Sequence, residues 1–292
     1  MIASIALTTG LLFFTVLQLG DSPAFSNPSS SYRVTRSITY NGVSVDVVID
    51  KPKGTRLDTL IVYHGTVMVD SQILQAANDT LDGFKRILDN RKMMIVSVAY
   101  PEENLLMGDN VAHSEAALLW VRNRAKAELG IDVGKIFLGG HSQGGYIVTR
   151  LNTMHATDGV IANAPGPLNL IFRCQLEENG QVSPSPTCNL LRATHGTTAS
   201  NPDAYWQRSL LNFTSGFKSD ILFVQGLDDS PIQMYSWPTF KQNVTACSNC
   251  GSNEFLELAG FGHNSLFNST VAKGTFNDFI DDRLERVPSG AH

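Results

Sequence analysis

The sequence predicts an α/β fold in which a mostly parallel central sheet is covered by helices on both faces. Short, continuous apolar runs recur along the chain, for example at residues 59–63 and 93–99, and such runs are typical of parallel strands buried on both faces. Segments with helical periodicity separate the runs, which favours alternation of strand and helix. A chain of 292 residues with 42% hydrophobic content can form one large α/β domain or two small ones.

Residues 1–26 are predicted to be a secretory signal peptide, and residues 27–292 the folded domain. Residues 2–20 contain no charged side chain, and the small residues Ala24 and Ser26 have the spacing that signal peptidase requires. An uncleaved signal anchor is the alternative, because no Lys or Arg precedes the apolar run and the run is nearly long enough to span a bilayer. In both cases we expect most of the chain in an exported compartment.

The first element expected after this segment is an antiparallel hairpin at the sheet edge. Residues 34–49 alternate polar and apolar side chains around Asn41 and Gly42, a pair that favours a two-residue turn. The later apolar runs predict buried strands at residues 59–63, 93–99, 136–138, 159–162, 221–224 and 255–258. Helical periodicity predicts helices at residues 73–88, 113–129, 145–151 and 271–284.

The alternation breaks at residues 165–217, a long polar stretch rich in turn formers. A long irregular insertion in a compact domain is usually functional, so we expect a lid over the carboxyl edge of the sheet. Its aromatic residues, Tyr205 and Trp206, could line a substrate pocket or pack in the core.

Four cysteines are predicted to form two local disulfides, Cys174 with Cys188 in the lid and Cys247 with Cys250. Exported proteins form disulfides readily, and a lone C-x-x-C without a second pair does not complete a zinc site. We therefore expect disulfides at these positions and no metal.

The pentapeptide at residues 140–144, G-H-S-Q-G, lies between a predicted strand and a predicted helix. A serine on such a sharp turn is held in strained backbone geometry with its hydroxyl projecting above the sheet. The flanking Gly140 and Gly144 are required because side chains there would collide with the neighbouring strand or helix. Ser142 is the candidate nucleophile.

A serine hydroxyl needs a base to remove its proton, and the base needs a carboxylate to orient it. His263 is the candidate base, because it follows the last strand in a glycine-rich loop, whereas His292 ends a tail. The candidate acid is Asp229, with Asp228 as the alternative, because both follow the strand at residues 221–224.

A tetrahedral intermediate also needs an oxyanion hole. The N–H of Gln143 is one candidate donor because it opens a helix, and the N–H of Thr66 is the second, with Val67 next. Two further histidines lie in these motifs. We expect His64 to orient its loop and His141 to pack rather than react.

These motifs, H-G, G-H-S-Q-G-G, G-x-x-D and G-x-G-H in that order, resemble the alpha/beta-hydrolase superfamily across residues 44–284. Within it, residues 144–146 and 226–232 are similar to prolyl-oligopeptidase-like and dienelactone-hydrolase-like members, and the spacing of that resemblance selects Asp229 as the acid. The resembling peptidases carry a β-propeller ahead of the hydrolase domain. This chain has no room for one, so the resemblance implies an esterase.

The sequence thus predicts a secreted serine esterase that acts on a small-molecule or polymeric ester and needs no metal or organic cofactor. The alternatives are a serine peptidase or amidase, and a non-catalytic binding module on the same fold. The formal net charge of -5 argues against nucleic acid or an anionic membrane as partner, unless the N-terminal segment is an uncleaved anchor.

Overall fold

A computed structural model describes residues 29–89 and 91–286 of the chain, so the predicted signal peptide lies outside the described residues. The described part forms one sheet of eight strands: Tyr32–Tyr40 (β1), Val43–Lys51 (β2), Arg56–Tyr63 (β3), Met94–Ala99 (β4), Asp132–His141 (β5), Gly159–Asn163 (β6), Ile221–Gly226 (β7) and Asn253–Leu258 (β8). The strand order is β1-β2-β4-β3-β5-β6-β7-β8. Strands β3 to β8 run parallel, and β1 and β2 are antiparallel to their neighbours. The predicted fold class is confirmed.

The helices of the described residues are Ile73–Leu88 (α1), Val111–Leu129 (α2), Gln143–Met154 (α3), Leu170–Glu178 (α4), Pro186–His195 (α5), Pro202–Trp206 (α6), Pro231–Thr245 (α7), Ser265–Asn268 (α8) and Thr270–Glu285 (α9). Helices α2, α3 and α7 contribute to a hydrophobic core on one face of the sheet. Helices α1, α8 and α9 contribute to a second core on the other face. Because both faces are covered, the central strands are apolar along most of their length.

The predicted hairpin forms at the sheet edge. Asn41 and Gly42 both have positive φ, 50° and 82°, and connect β1 to β2 as a two-residue turn. Positive φ at both central positions gives the twist that joins antiparallel strands, which explains the asparagine-glycine pair.

The insertion between β6 and β7 is helical rather than irregular, because it contains α4, α5 and α6. Both predicted disulfides are present: Cys174–Cys188 joins α4 to α5, and Cys247–Cys250 lies between α7 and β8. Short helices such as these have little stability alone, so the cross-link and the core beneath them supply the support.

No helix in the two described segments is both long enough and apolar enough to cross a membrane.

Candidate active site

Ser142 occupies the turn between β5 and α3. Its φ of 57° and ψ of -117° lie outside the regions that L-residues ordinarily adopt. Backbone hydrogen bonds hold this turn: the Ser142 N–H donates to the Asn163 carbonyl at 2.9 Å, and the Ser142 carbonyl accepts from Tyr146 and Gly166, each at 3.1 Å. Such strain persists only where the surroundings enforce it, and it is typical of functional sites.

The two glycines of the pentapeptide allow this turn to form. A Cβ on Gly140 would lie 2.1 Å from the carbonyl oxygen of Gly144, in the helix. A Cβ on Gly144 would lie 2.0 Å from the carbonyl oxygen of Tyr63, in strand β3. Both contacts are with backbone atoms that cannot rotate away, so the structure supports the expected reason for these glycines.

The structure brings His263 and Asp229 together although they lie on different loops. His263 follows β8, Asp229 follows β7, and His263 Nδ1 lies 2.8 Å from Asp229 Oδ2. The Asp229 side chain is 4% exposed, whereas that of His263 is 44% exposed. The imidazole is therefore anchored on its buried side and leaves Nε2 for chemistry.

Burial alone would raise the pKa of the Asp229 carboxyl. Hydrogen bonds from His263 and Gln225, the nearby imidazole, and the N–H of Ser230 outweigh burial and hold that pKa below its usual value. Asp229 therefore stays a carboxylate at neutral pH, as the partner of a catalytic imidazole must.

Asp228, the alternative acid, is exposed, and it contacts the histidine loop through its backbone N–H, which donates to the Phe261 carbonyl. Geometry thus favours Asp229 over Asp228. His292, the other histidine considered, lies outside the described residues.

Ser142 and His263 line one cavity at the carboxyl edge of the sheet. In the described part of the chain, the Ser142 hydroxyl and the His263 imidazole form no hydrogen bond with each other. Catalytic hydrogen bonds are often formed only when substrate binds, and a serine hydroxyl reorients by rotation about a single bond.

The two residues predicted to supply the oxyanion donors are joined by a side-chain hydrogen bond. The Thr66 hydroxyl donates to Gln143 Oε1 at 2.9 Å, which ties the loop after β3 to the start of α3. Gln143 is the first residue of α3, so its N–H has no partner one turn earlier within the helix. The Val67 N–H instead donates to Glu102 Oε2 at 2.9 Å, which leaves Thr66 as the better second donor.

The remaining histidines of the motifs are neutral. Burial, together with the neighbouring His263, lowers the pKa of His141 to about 4. His64 is 1% exposed, and burial lowers its pKa to about 4 as well. His64 stacks on Tyr100 with 3.9 Å between ring centroids, consistent with the expected role in orienting its loop.

Two buried polar residues that support the site were not singled out from the sequence. Asn163 donates to His141 Nδ1 at 2.7 Å, and its Oδ1 accepts from the Ser265 hydroxyl at 3.0 Å, so it holds the start of α8 just after the histidine loop. Gln225 donates to Asp229 Oδ2 at 3.0 Å. Asn163 is the last residue of β6 and Gln225 is the next to last of β7, and a polar side chain at the carboxyl end of a parallel strand was the signal that could have found them.

The cavity has a volume of about 520 Å³. The insertion and the loops after β3 and β4 surround it, and its wall includes the apolar residues Met68, Leu105, Met107, Leu168, Leu170, Pro186, Leu190 and Ile232, and the charged residues Glu102, Glu103 and Arg173. Neither Tyr205 nor Trp206 lines this cavity: Tyr205 is fully buried in the core, which was the other expectation, and Trp206 is 38% exposed. A pocket of this size fits a small organic substrate.

In the part of the chain that is described, no three His, Cys, Asp or Glu side chains are grouped so that they could hold a metal ion.

A family model for the alpha/beta hydrolase fold matches residues 60–226, more than half of the chain. The protein therefore belongs to the alpha/beta hydrolase fold family. The match includes the Ser142 turn and ends before Asp229 and His263.

Solved structures with a similar fold include Est1E from Butyrivibrio proteoclasticus, with 12% identity, a TM-score of 0.60, and coverage of 86% of this chain and 99% of that one. The hyperthermophilic esterase from Pyrobaculum calidifontis is 17% identical, with a TM-score of 0.62 and coverage of 86% and 85%. The acylaminoacyl peptidase of Pyrococcus horikoshii is 13% identical, with a TM-score of 0.62, and the match covers 90% of this chain but 43% of the peptidase. At these identities the likeness establishes the fold alone. No curated protein sequence matches the chain at a significant level.

Proposed function

We propose that the protein is a secreted serine esterase that hydrolyses carboxylic esters through an acyl-enzyme on Ser142. The observation that carries the proposal is the hydrogen bond between His263 and Asp229, formed at the cavity that the strained Ser142 turn also lines. A nucleophile and a base in one cavity, with a buried carboxylate that orients the base, are the parts that acyl transfer requires.

In the proposed mechanism, Ser142 Oγ attacks the ester carbonyl carbon while His263 Nε2 takes the hydroxyl proton. Asp229 stabilises the imidazolium through Nδ1. The N–H groups of Gln143 and Thr66 bind the oxyanion of the tetrahedral intermediate. The intermediate collapses, the bond to the alcohol oxygen breaks, and His263 returns the proton to the departing alcohol.

The second half-reaction repeats these steps with water. His263 takes a proton from water, the resulting hydroxide attacks the acyl carbon, and the same two N–H groups bind the oxyanion. Collapse breaks the bond to Ser142 Oγ, which regains the proton and releases the carboxylic acid.

Ester rather than peptide hydrolysis is supported by the extent of the structural matches. The Pyrobaculum calidifontis esterase is matched over 85% of its chain, and the acylaminoacyl peptidase over 43% of its chain. Export is supported by the two disulfides, which oxidising compartments favour, and by the uncharged N-terminal segment.

The test is a paired assay with 4-nitrophenyl acyl esters and aminoacyl 4-nitroanilides on the wild type, Ser142→Ala and Ser252→Ala. Ser252 is exposed and precedes β8, at the amino ends of the parallel strands and so opposite the candidate site. It is therefore the matched control. We expect ester turnover in the wild type and Ser252→Ala, a loss of about 10⁴-fold or more in Ser142→Ala, and little anilide turnover. Anilide turnover equal to ester turnover would indicate a peptidase or amidase. No turnover, or equal rates in Ser142→Ala, would contradict the proposal.

A further inference from the structure

Glu102 is a buried acidic residue at the wall of the catalytic cavity, and the proposed mechanism does not use it. It lies three residues after β4, and its side chain is 6% exposed. Its Oε2 accepts the Val67 N–H at 2.9 Å. Burying a carboxyl group costs free energy. One that contacts the loop after β3, which contains Thr66 and Val67 and is called the oxyanion loop below, therefore suggests a functional role.

The position of Glu102 is itself fixed by the oxyanion loop. Asp70 Oδ1 accepts the backbone N–H groups of Glu102 and Glu103, each at 2.9 Å. The Tyr100 hydroxyl donates to the His64 carbonyl at 2.5 Å. The loops after β3 and β4 are therefore cross-linked at both ends of the segment that contains Thr66 and Val67.

The hydrogen bond from Val67 decides which loop amide can serve the reaction. Thr66 and Val67 are consecutive, and either N–H could in principle supply the second oxyanion donor. Glu102 accepts the Val67 N–H, and the Thr66 hydroxyl donates to Gln143 Oε1 at 2.9 Å, so of the two N–H groups that of Thr66 is the one left for a substrate.

We propose that Glu102 is a positioning residue that determines which backbone N–H serves as the second oxyanion donor. By accepting the Val67 N–H, it leaves the Thr66 N–H to bind the substrate. This inference rests on the proposed esterase function, because it concerns the oxyanion of that reaction. Glu102 acts through Val67 and need not touch the substrate.

The protonation state of Glu102 gives this role a pH dependence. Burial raises the pKa of Glu102 to about 8, and the hydrogen bond from Val67 opposes this shift only in part. The titratable groups that face it are Asp70 and Tyr100, together with His64, whose Nδ1 lies 3.7 Å from Glu102 Oε1. Because the pKa of His64 is lowered to about 4, this imidazole is neutral above pH 5 and does not compensate the carboxylate.

Below about pH 8 Glu102 is therefore an uncharged carboxylic acid, and above it a carboxylate. A carboxylate at the wall of this cavity repels the oxyanion that develops during the reaction. We expect kcat to fall as the pH rises through about 8, because ionised Glu102 raises the free energy of the negatively charged transition state.

The test uses Glu102→Gln and Glu102→Ala, with Glu128→Gln and Glu128→Ala as controls on the exposed, remote end of α2. The glutamine carbonyl can still accept the Val67 N–H and cannot ionise. Glu102→Gln should keep kcat at pH 7 within about 3-fold and lose the fall in kcat near pH 8. Glu102→Ala should lower kcat by about 10²-fold or more with KM within about 3-fold, the loss typical of one oxyanion donor.

Equal losses in Glu102→Gln and Glu102→Ala, or an alkaline fall that persists in Glu102→Gln, would overturn the inference. If Glu102→Ala fails to fold, as judged by circular dichroism, the pH profile of Glu102→Gln still decides it. Failure of the esterase proposal is recognised separately, because then the wild type itself hydrolyses no ester at any pH, and the inference falls with it.

Discussion

Replacing Asp229 with asparagine should separate the proposed triad acid from its neighbour Asp228. Three donors converge on the Asp229 carboxylate: Oδ2 accepts from His263 at 2.8 Å and Gln225 at 3.0 Å, and Oδ1 accepts the Ser230 N–H at 2.6 Å. An asparagine side chain has one acceptor oxygen, so its NH₂ group must face a donor in either orientation.

The magnitude follows from the two orientations. With NH₂ towards Ser230, two donors oppose each other in a buried place, at a cost of about 1–3 kcal/mol in stability. With NH₂ towards His263, Nδ1 must become an acceptor, which places the imidazole proton on Nε2 and removes the base that Ser142 needs. The wrong tautomer costs about 10⁴-fold in kcat in a serine protease triad, or about 5 kcal/mol.

The assay is ester hydrolysis, with kcat and KM measured separately for Asp229→Asn and Asp228→Asn. Asp228 is exposed, and no hydrogen bond of its side chain occurs in the described part of the chain, so Asp228→Asn should stay within about 2-fold of the wild type. We expect Asp229→Asn to lose between 10³- and 10⁴-fold in kcat, or to lose stability together with a smaller loss of rate. Full activity and stability in Asp229→Asn, or a larger loss in Asp228→Asn, would contradict the assignment of Asp229 as the triad acid.

Three further predictions concern the turn, the lid and the second histidine of the site. Gly144→Ala places a Cβ 2.0 Å from a backbone carbonyl oxygen and should lower the free energy of unfolding in urea by at least about 3 kcal/mol. The control Gly274→Ala has open space in α9 and should raise that free energy by about 0.5–1 kcal/mol. Equal effects of the two substitutions would contradict the role of Gly144 in the turn. The double variant Cys174→Ala, Cys188→Ala removes a disulfide between residues 14 apart and should lower the free energy of unfolding by about 3 kcal/mol. It should also speed proteolysis of the insertion between β6 and β7. An unchanged rate of cleavage would mean that the disulfide does not stabilise this insertion. The pKa of His141 is lowered to about 4, so its imidazole is neutral above pH 5. Any fall in kcat/KM on the acid side of the pH profile above pH 5 should therefore persist in His141→Asn. Loss of that fall would mean that His141 is the titrating base.

The parts of the fold that were predictable have strong local signals. The hairpin followed from Asn41 and Gly42, and α1 was predicted over residues 73–88, where it lies, because its apolar face repeats with helical period. Helix α7 was not predicted, because Pro238 lies inside it and its apolar residues are not confined to one face. The helices of the insertion were not predicted, because each is short and depends on tertiary packing rather than on its own sequence, and α4 and α5 also depend on the disulfide that joins them.

In the candidate site, too, the residues with strong local signals were predictable and a contact between distant loops was not. Ser142 and His263 were predicted because fixed spacings surround them, and the strand that precedes Asp229 predicted that it lies near both. Glu102 could not be identified, because its contact with Val67 depends on how two loops meet after neighbouring parallel strands, where Tyr63 pairs with Val98. Such contacts between loops depend on sheet register, which the local sequence of either loop does not contain.

Covalent labelling with a fluorophosphonate, followed by tryptic digestion and mass spectrometry, tests most directly whether Ser142 is the nucleophile. Cleavage after Lys135 and Arg150 yields a peptide of residues 136–150 in which Ser142 is the single serine. We expect one adduct, on this peptide in the wild type, and no adduct in Ser142→Ala. An unlabelled wild type, or an adduct on a different serine such as Ser230 at the wall of the same cavity, would contradict it.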